Sequence, residues 1–233
     1  KAKTNDVITL TITASETVTG LVCTIDGEAT TMGGSGTSWT SALTVSGDET
    51  QGATSFSCAS HVDAAGNAGA TDTDANSGSV TIDYTAPTLT AVGIAVDNTG
   101  NANNGDDVTL TFTASETVGT PTCTFTSGGD AMADSSITVA NPSGNQWTCV
   151  ADVADADTDG AVAFSIAFSD SAGNAGTAVS AVTDSSSVTV DNTHPTLTIA
   201  MTSNNADNTK AKTNDVITLT ITASETVTGL VCT

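Results

Sequence analysis

The stretch KAKTNDVITLTITASETVTGLVCT fills residues 1–24 and returns without a substitution at 210–233. The copies start 209 residues apart (210 − 1), so the chain holds one full period of a repeat and the opening of the next. Self-similarity at a fixed period is the signature of an array. Inside the stretch, Val7-Ile-Thr-Leu-Thr-Ile-Thr-Ala14 alternates strictly, with Ile8, Leu10, Ile12 and Ala14 on one face and Thr on the other. A period of two reads as a half-buried antiparallel strand and decides for β structure.

A shorter echo divides the period. Thr-Ala-Ser-Glu-Thr occurs at 13–17, 113–117 and 222–226, which spaces two modules of immunoglobulin-domain size and the start of a third. Residues 87–194 form the complete module, with strands expected at 88–96, 107–115, 119–126, 136–140, 145–153, 161–169 and 186–191. Residues 1–86 read as a module lacking its first strand, and 195–233 as the first two strands of the next. Short alternating strands, with turn signals between them and no helical period, predict an all-β chain. Its architecture is a linear array of tandem Ig-like β-sandwiches of about seven strands each. Half modules expose strand edges, so the sequence is either a window on a longer polypeptide or a subunit that joins others by strand donation.

Charge narrows the partners. Against 26 Asp and Glu stand four Lys and no Arg, a formal net charge of −22, and every Lys lies in the duplicated stretch. Such a surface repels phosphate backbones and anionic lipid and attracts divalent cations. No apolar run reaches membrane length, so the expectation is no nucleic acid and no direct membrane insertion. Adjacent repeats of the same chain are the expected partners, together with identical chains if a fibre forms.

Aromatic residues make up 3% of the chain, which leaves a thin core and favours extra staples. One period contains four Cys, two per module; the fifth, Cys232, copies Cys23. An even count favours disulfides and an oxidising setting, secreted or at the cell surface. Cys23 shares a face with Leu21 and Ile25, Cys123 with Phe125, and Cys149 with Trp147 and Val153. Aligning the modules on their Trp residues sets Cys149 against Ser41 and Cys58 against Ile166. The bridges expected are Cys23–Cys58 and Cys123–Cys149, joining different strand pairs, and the alternative is four buried thiols.

Two acidic constellations are candidate calcium sites. Asp155, Asp157 and Asp159, followed by Gly160, fit the first half of a calcium loop, although residue 166 is Ile where an EF-hand carries its bidentate Glu. The alternative is a solvated acidic turn. At the module ends, Asp63, Asn67 and Asp83 with Asp97 or Asn98 form one oxygen-rich set. Asp170, Asn174 and Asp191 with Asn204, Asn205 or Asp207 form the next. Either set suits a Ca²⁺ ion bridging two modules, and Asp-x-x-Gly-Asn also makes a good hairpin turn.

The Asp-x-x-Gly-Asn turns, the Asp-x-Thr-x-Pro linkers and the Thr-Ala-Ser-Glu strand ends resemble bacterial Ig-like tandem repeats of giant extracellular adhesins and surface filaments. The resemblance implies an extracellular shaft, often stiffened by calcium, that holds a binding tip away from the cell. It implies Asp63, Asn67, Asp83, Asp170, Asn174 and Asp191 as junction ligands. A second reading is a fibre-forming protomer of a secreted or flagellar hair-like filament, and a third a carbohydrate- or ice-binding module using a flat Thr face. Only two His are present, His61 is expected on the exposed face, and no nucleophilic triad is legible, so no enzyme is expected.

Overall fold

The computed structural model describes residues 1–133 and 136–233, and these form strands and turns without a helix. The first group of strands is β1 (Val7–Val18), β2 (Val22–Ile25), β3 (Glu28–Ala29), β4 (Thr31–Thr44), β5 (Gly52–Ala53), β6 (Phe56–Ala59) and β7 (Thr81–Ile82). The second is β8 (Leu89–Val96), β9 (Asp107–Ala114), β10 (Thr122–Ser127), β11 (Asp130–Ala131), β12 (Thr138–Ser143), β13 (Gln146–Asp152), β14 (Gly160–Ala167) and β15 (Thr189–Val190). The last, β16 (Leu197–Ser203) and β17 (Ile217–Ala223), is a hairpin.

The second group builds two antiparallel sheets, in the orders β12-β13-β9-β8 and β11-β10-β14-β15. Lettered along the chain, these are the ABED and C′CFG sheets of an immunoglobulin-like sandwich. Alternation in β9 sends Val108, Leu110, Phe112 and Ala114 inward, where they meet Phe125, Phe164 and Ile166 of the opposite sheet in one continuous core. From β8, Val92 and Ile94 close the side of that core. Cys123 on β10 is bonded to Cys149 on β13, tying one sheet to the other. The seven strands read from the sequence are all present, and the two-residue β11 makes an eighth.

The first group follows the same plan with less of it. Cys23 pairs with Cys58 across β2 and β6, as Cys123 pairs with Ile166 across β10 and β14. The Cys23–Cys58 disulfide therefore lies within one sheet. Ser41 stands opposite Leu10 where Cys149 stands opposite Leu110. Its buried hydroxyl donates to Thr30 Oγ1 at 2.6 Å, and Thr30 donates to the Cys23 carbonyl at 2.8 Å. Hydrogen bonds thus run where the second sandwich has sulfur.

What the first group lacks is a strand beside β1. Among the described residues β1 pairs with β4 alone, whereas β9 is flanked by β13 and β8. The apolar core splits into two small clusters, and Leu10 and Ile12 stay partly exposed, while Leu110 and Phe112 are 0% and 2% exposed. Deleting a side chain costs most where the void is fully enclosed. Phe112→Ala should therefore lower the stability of the second sandwich by about 3–5 kcal/mol. Ile12→Ala should cost the first sandwich clearly less, with denaturant unfolding resolved by Trp39 and Trp147 fluorescence as the check.

Candidate functional site at the junction between sandwiches

The residues that meet between the two sandwiches come from three places. The linker Asp83-Tyr-Thr-Ala-Pro87 is anchored to the first sandwich by Asp83 N–H donating to the Ala2 carbonyl and Tyr84 O–H to the Glu49 carbonyl, both at 2.8 Å. Pro87 is fully buried, and Thr88 N–H donates to Ser115 Oγ of the second sandwich at 3.0 Å. From that sandwich the turn Asp170-Ser-Ala-Gly-Asn174 faces the linker. Asp170 accepts from the N–H groups of Ala172 and Asn174 and from the Asn174 side chain, at 2.7–3.0 Å. Gly173 takes φ 88°, a conformation that suits glycine. The Asn174 amide also donates to the Asp83 carbonyl at 2.8 Å, a direct bond from one sandwich to the linker of the other.

Carboxylate oxygens of Asp83, Glu116 and Asp170 lie within 4.8 Å of one another. Into this group reaches the Lys1 ammonium, 2.8 Å from Asp83 and 3.9 Å from Glu116. The hydrogen bond to Asp83 raises the Lys1 pKa above its ordinary value, with Asp170 and Glu116 adding to it against the cost of burial. For Asp170, burial pushes the pKa up, but the bonds from Asn174, Ala172 and Gly173 outweigh it and hold the pKa below the usual value. The lysine is the cation of this junction.

The pairing of residues differs from the sequence expectation. Asp63 and Asn67 make the same turn as Asp170 and Asn174, with Asp63 accepting at 2.7–2.9 Å from Ala65 N, Asn67 N and the Asn67 amide. The Asn67 bonds lower the Asp63 pKa. That turn follows the Thr19–Val62 bridge past the end of β1, whereas Asp83 bonds Ala2 before its start, a strand length away. Asp63 and Asn67 are therefore not brought to Asp83, and Asp97 and Asn98 are not either. Asp97 accepts from Asp107 N–H and Asn98 donates to Asp106, at the far end of the second sandwich. Asp191 is also at that end and apart from Asp170 and Asn174, its N–H bonded to Ala102. Asn205 and Asp207 bond Asp215 and Lys210 within the hairpin.

Nor do Asp155, Asp157 and Asp159 converge. Asp157, 6% exposed, turns inward and accepts from Ala133 N at 2.6 Å and Ala154 N at 2.9 Å. Asp159 accepts from Thr193 Oγ1 and Asn192 N, bonds that lower its pKa, while Asp155 stays in solvent. Asp157 satisfies backbone donors and Asp159 holds the next linker, so the three carboxylates do not converge as a calcium loop. Glu49, 108 residues earlier, plays the part of Asp157 in the first sandwich. Buried at 6% exposure, it accepts from Ser46 and Gly47 N–H at 2.9–3.1 Å. His61, expected outside, has its Nδ1 enclosed without a partner, its ring lying over Gly69.

Lys1 and Glu116 were not singled out by the sequence reading, although two signals pointed to them. Thr-Ala-Ser-Glu recurs three times with its Glu in register, and every Lys of a strongly acidic chain is confined to the duplicated stretch.

No family model and no curated protein matches the sequence. Solved structures do match in outline. A chimeric titin Z1Z2 shares 13% identity, with 82% of this chain and 92% of that one covered and a TM-score of 0.37. The titin I-band fragment I67-I69 shares 11% identity over 95% and 72%, with a TM-score of 0.41. The mouse nectin-like molecule 4 ectodomain shares 14% over 82% and 62%, with a TM-score of 0.30. The strand orders, and not these likenesses, establish tandem Ig-like sandwiches.

Removing the Asn174 amide should loosen the junction without unfolding either sandwich. Asn174→Ala should increase the maximum-dimension spread in small-angle scattering while leaving the core melting transitions in place. Glu49 gives a pH signature, because the Ser46 N–H leads a set of bonds that pull its pKa down from 4.5 to about 2 against burial. A depressed pKa contributes stability that is present above the unfolded value of 4.5 and lost as pH falls towards 2. The melting-temperature gap between the parent chain and Glu49→Gln should therefore shrink over that window.

Proposed function

We propose that this chain is the structural repeat of a long extracellular filament or adhesin shaft. One observation carries the reading: the Asn174–Asp83 bond and the Lys1–Asp83–Glu116 contact fasten one sandwich to the next across a five-residue linker, in a sequence that begins again identically after 209 residues. Fastened modules in series transmit direction and length, which is the work of a shaft. Two disulfides support an oxidising, extracellular setting, and among the described residues no helix is long and apolar enough to cross a membrane. The partners in this reading are the adjacent repeats.

Calcium belongs to the proposal at the other class of junction. The parallel bridges Ala2–Ile82 and Ala102–Val190 are equivalent, so Asn101 stands where Lys1 stands and Asp191 where Asp83 stands. Likewise Ser224 bonds Thr196 as Ser115 bonds Thr88, which puts Glu225 in the place of Glu116. Asn101 approaches Asp191 at 3.4 Å and brings no charge. Hard oxygen donors without an ammonium suit Ca²⁺, whereas Asp83 and Glu116 already have their cation. Calcium would add stiffness there by neutralising the carboxylates.

Electron microscopy of tandem copies of the 209-residue period tests the shaft. Contour length should grow linearly, by about 40 Å per sandwich, and particles that stay compact as copies are added would sink the reading. For calcium, titration calorimetry of the 233-residue chain should show binding that Asp191→Asn abolishes and Asp83→Asn leaves intact. Equal loss in both variants, or no heat at all, removes the metal from the account.

A further inference from the structure

The turn Asp63-Ala-Ala-Gly-Asn67 of the first sandwich is closed in the same way as Asp170-Ser-Ala-Gly-Asn174 at the junction. Asp63 accepts from Asn67 N–H at 2.7 Å and Ala65 N–H at 2.9 Å, and Asp170 accepts from Asn174 and Ala172 at the same two distances. Gly66 takes φ 89° where Gly173 takes 88°. Gly66 N–H donates to the Asp63 carbonyl and Gly173 N–H to the Asp170 carbonyl, both at 3.2 Å. The second of these turns has a linker across it, to which the Asn174 amide donates through the Asp83 carbonyl. Asn67 holds the same amide in the same place, and among the described residues that amide bonds Asp63 alone.

The match extends to the residues beside the turn. The Phe168 ring packs on Gly176, and the Pro87 carbonyl oxygen lies 2.8 Å from where a Cβ on Gly176 would stand. Glycine lets ring and linker close on one point. His61 and Gly69 hold these two positions in the first sandwich, each 107 residues earlier. Gly69 N–H donates to the His61 carbonyl at 2.9 Å, as Gly176 N–H does to the Phe168 carbonyl at 3.0 Å. The imidazole covers Gly69 as the phenyl covers Gly176, with Nε2 its nearest atom. A ring nitrogen in that place can donate to a carbonyl set as the Pro87 carbonyl is, which a phenyl cannot.

The duplicated stretch identifies the linker that belongs on this surface. Thr196 N–H donates to Ser224 Oγ at 2.9 Å, as Thr88 N–H does to Ser115 Oγ at 3.0 Å. Ser224 lies in the copy of residues 1–24 and is the Ser15 of the following period. One side of the linker that ends in Pro195 is thus already held by the strand that opens a period. We propose that the surface formed by His61, the Asp63–Asn67 turn and Gly69 docks residues 191–195 of the preceding period. The Asn67 amide donates to the Asp191 carbonyl, and His61 Nε2 donates to the Pro195 carbonyl. Successive periods are then fastened on the plan of the internal junction, with a histidine hydrogen bond where that junction has phenyl packing. The inference rests on the reading of the chain as repeats in series.

The test uses two 209-residue periods in series, so that the second copy of the surface has a linker before it and the first copy has none. Each period carries only His61 and His194, which imidazole NMR resolves. His61 of the second copy should show an Nε2–H protected from exchange with water and a nitrogen shift distinct from that of the first copy. His61→Phe in the second copy should remove that signal alone. Asn67→Ala in the second copy should widen the spread of maximum dimensions in small-angle scattering, as Asn174→Ala is expected to do within a period. The same substitution in the first copy should leave the spread unchanged, and its melting transition separates loss of docking from loss of fold. Identical His61 signals from the two copies, or an equal scattering response to Asn67→Ala in either copy, would overturn the proposal. Contour length that still grew with each added period would in that event leave the shaft reading standing.

Discussion

The edge contact between a sandwich's first strand and its second governs how much core the remaining strands can build. Leu110 and Phe112 owe their burial to β8, which brings Val92 and Ile94 over the side of the sheet. Leu10 and Ile12 occupy the same positions without that cover, and the clusters around them stay small and separate. The aromatic-poor composition sharpens the effect, because there are few large side chains to fill a gap from elsewhere. The cross-links differ between the sandwiches because Ser41 of the first stands where the second has Cys149, and Cys58 of the first stands where the second has Ile166.

The junction combines two roles in one motif. Asp170 uses its carboxylate to close its own turn and to hold the Asn174 amide, which also donates to the neighbouring linker. Asp63 closes the same turn in the first sandwich. A lysine then completes one junction and an asparagine stands in its place at the other, so the repeat alternates two kinds of joint along its length. Alternation of this sort keeps neighbouring modules distinct, which limits strand swapping within a chain.

Much of this was legible in residue order. Alternating Thr and aliphatic residues marked the strands, because a sheet with one wet face leaves that pattern and little else does. The cysteine partners followed from the same phase, as Cys23, Cys58, Cys123 and Cys149 all fall on inward positions. The junction partners did not follow. Which end of a sandwich Asp63 or Asp170 occupies depends on the direction of the strand before it, and pairing Asp63 with Asp83 placed both at one end. The spacing of Asp155, Asp157 and Asp159 was ambiguous for another reason. Alternate carboxylates serve a metal or a set of backbone N–H groups equally well, and only the fold of the loop, with Ala133 and Ala154 presenting their amides to Asp157, decides.

The two disulfides also set how far the chain can be drawn out. Cys23 and Cys58 are 35 residues apart in sequence, and Cys123 and Cys149 are 26 apart. Under tension a ruptured sandwich unravels only outside its sulfur-closed loop, so about 120 Å of contour in the first and about 90 Å in the second stay withheld. Each rupture therefore yields a length shortened by its closed loop, and reducing conditions would release that withheld contour as well.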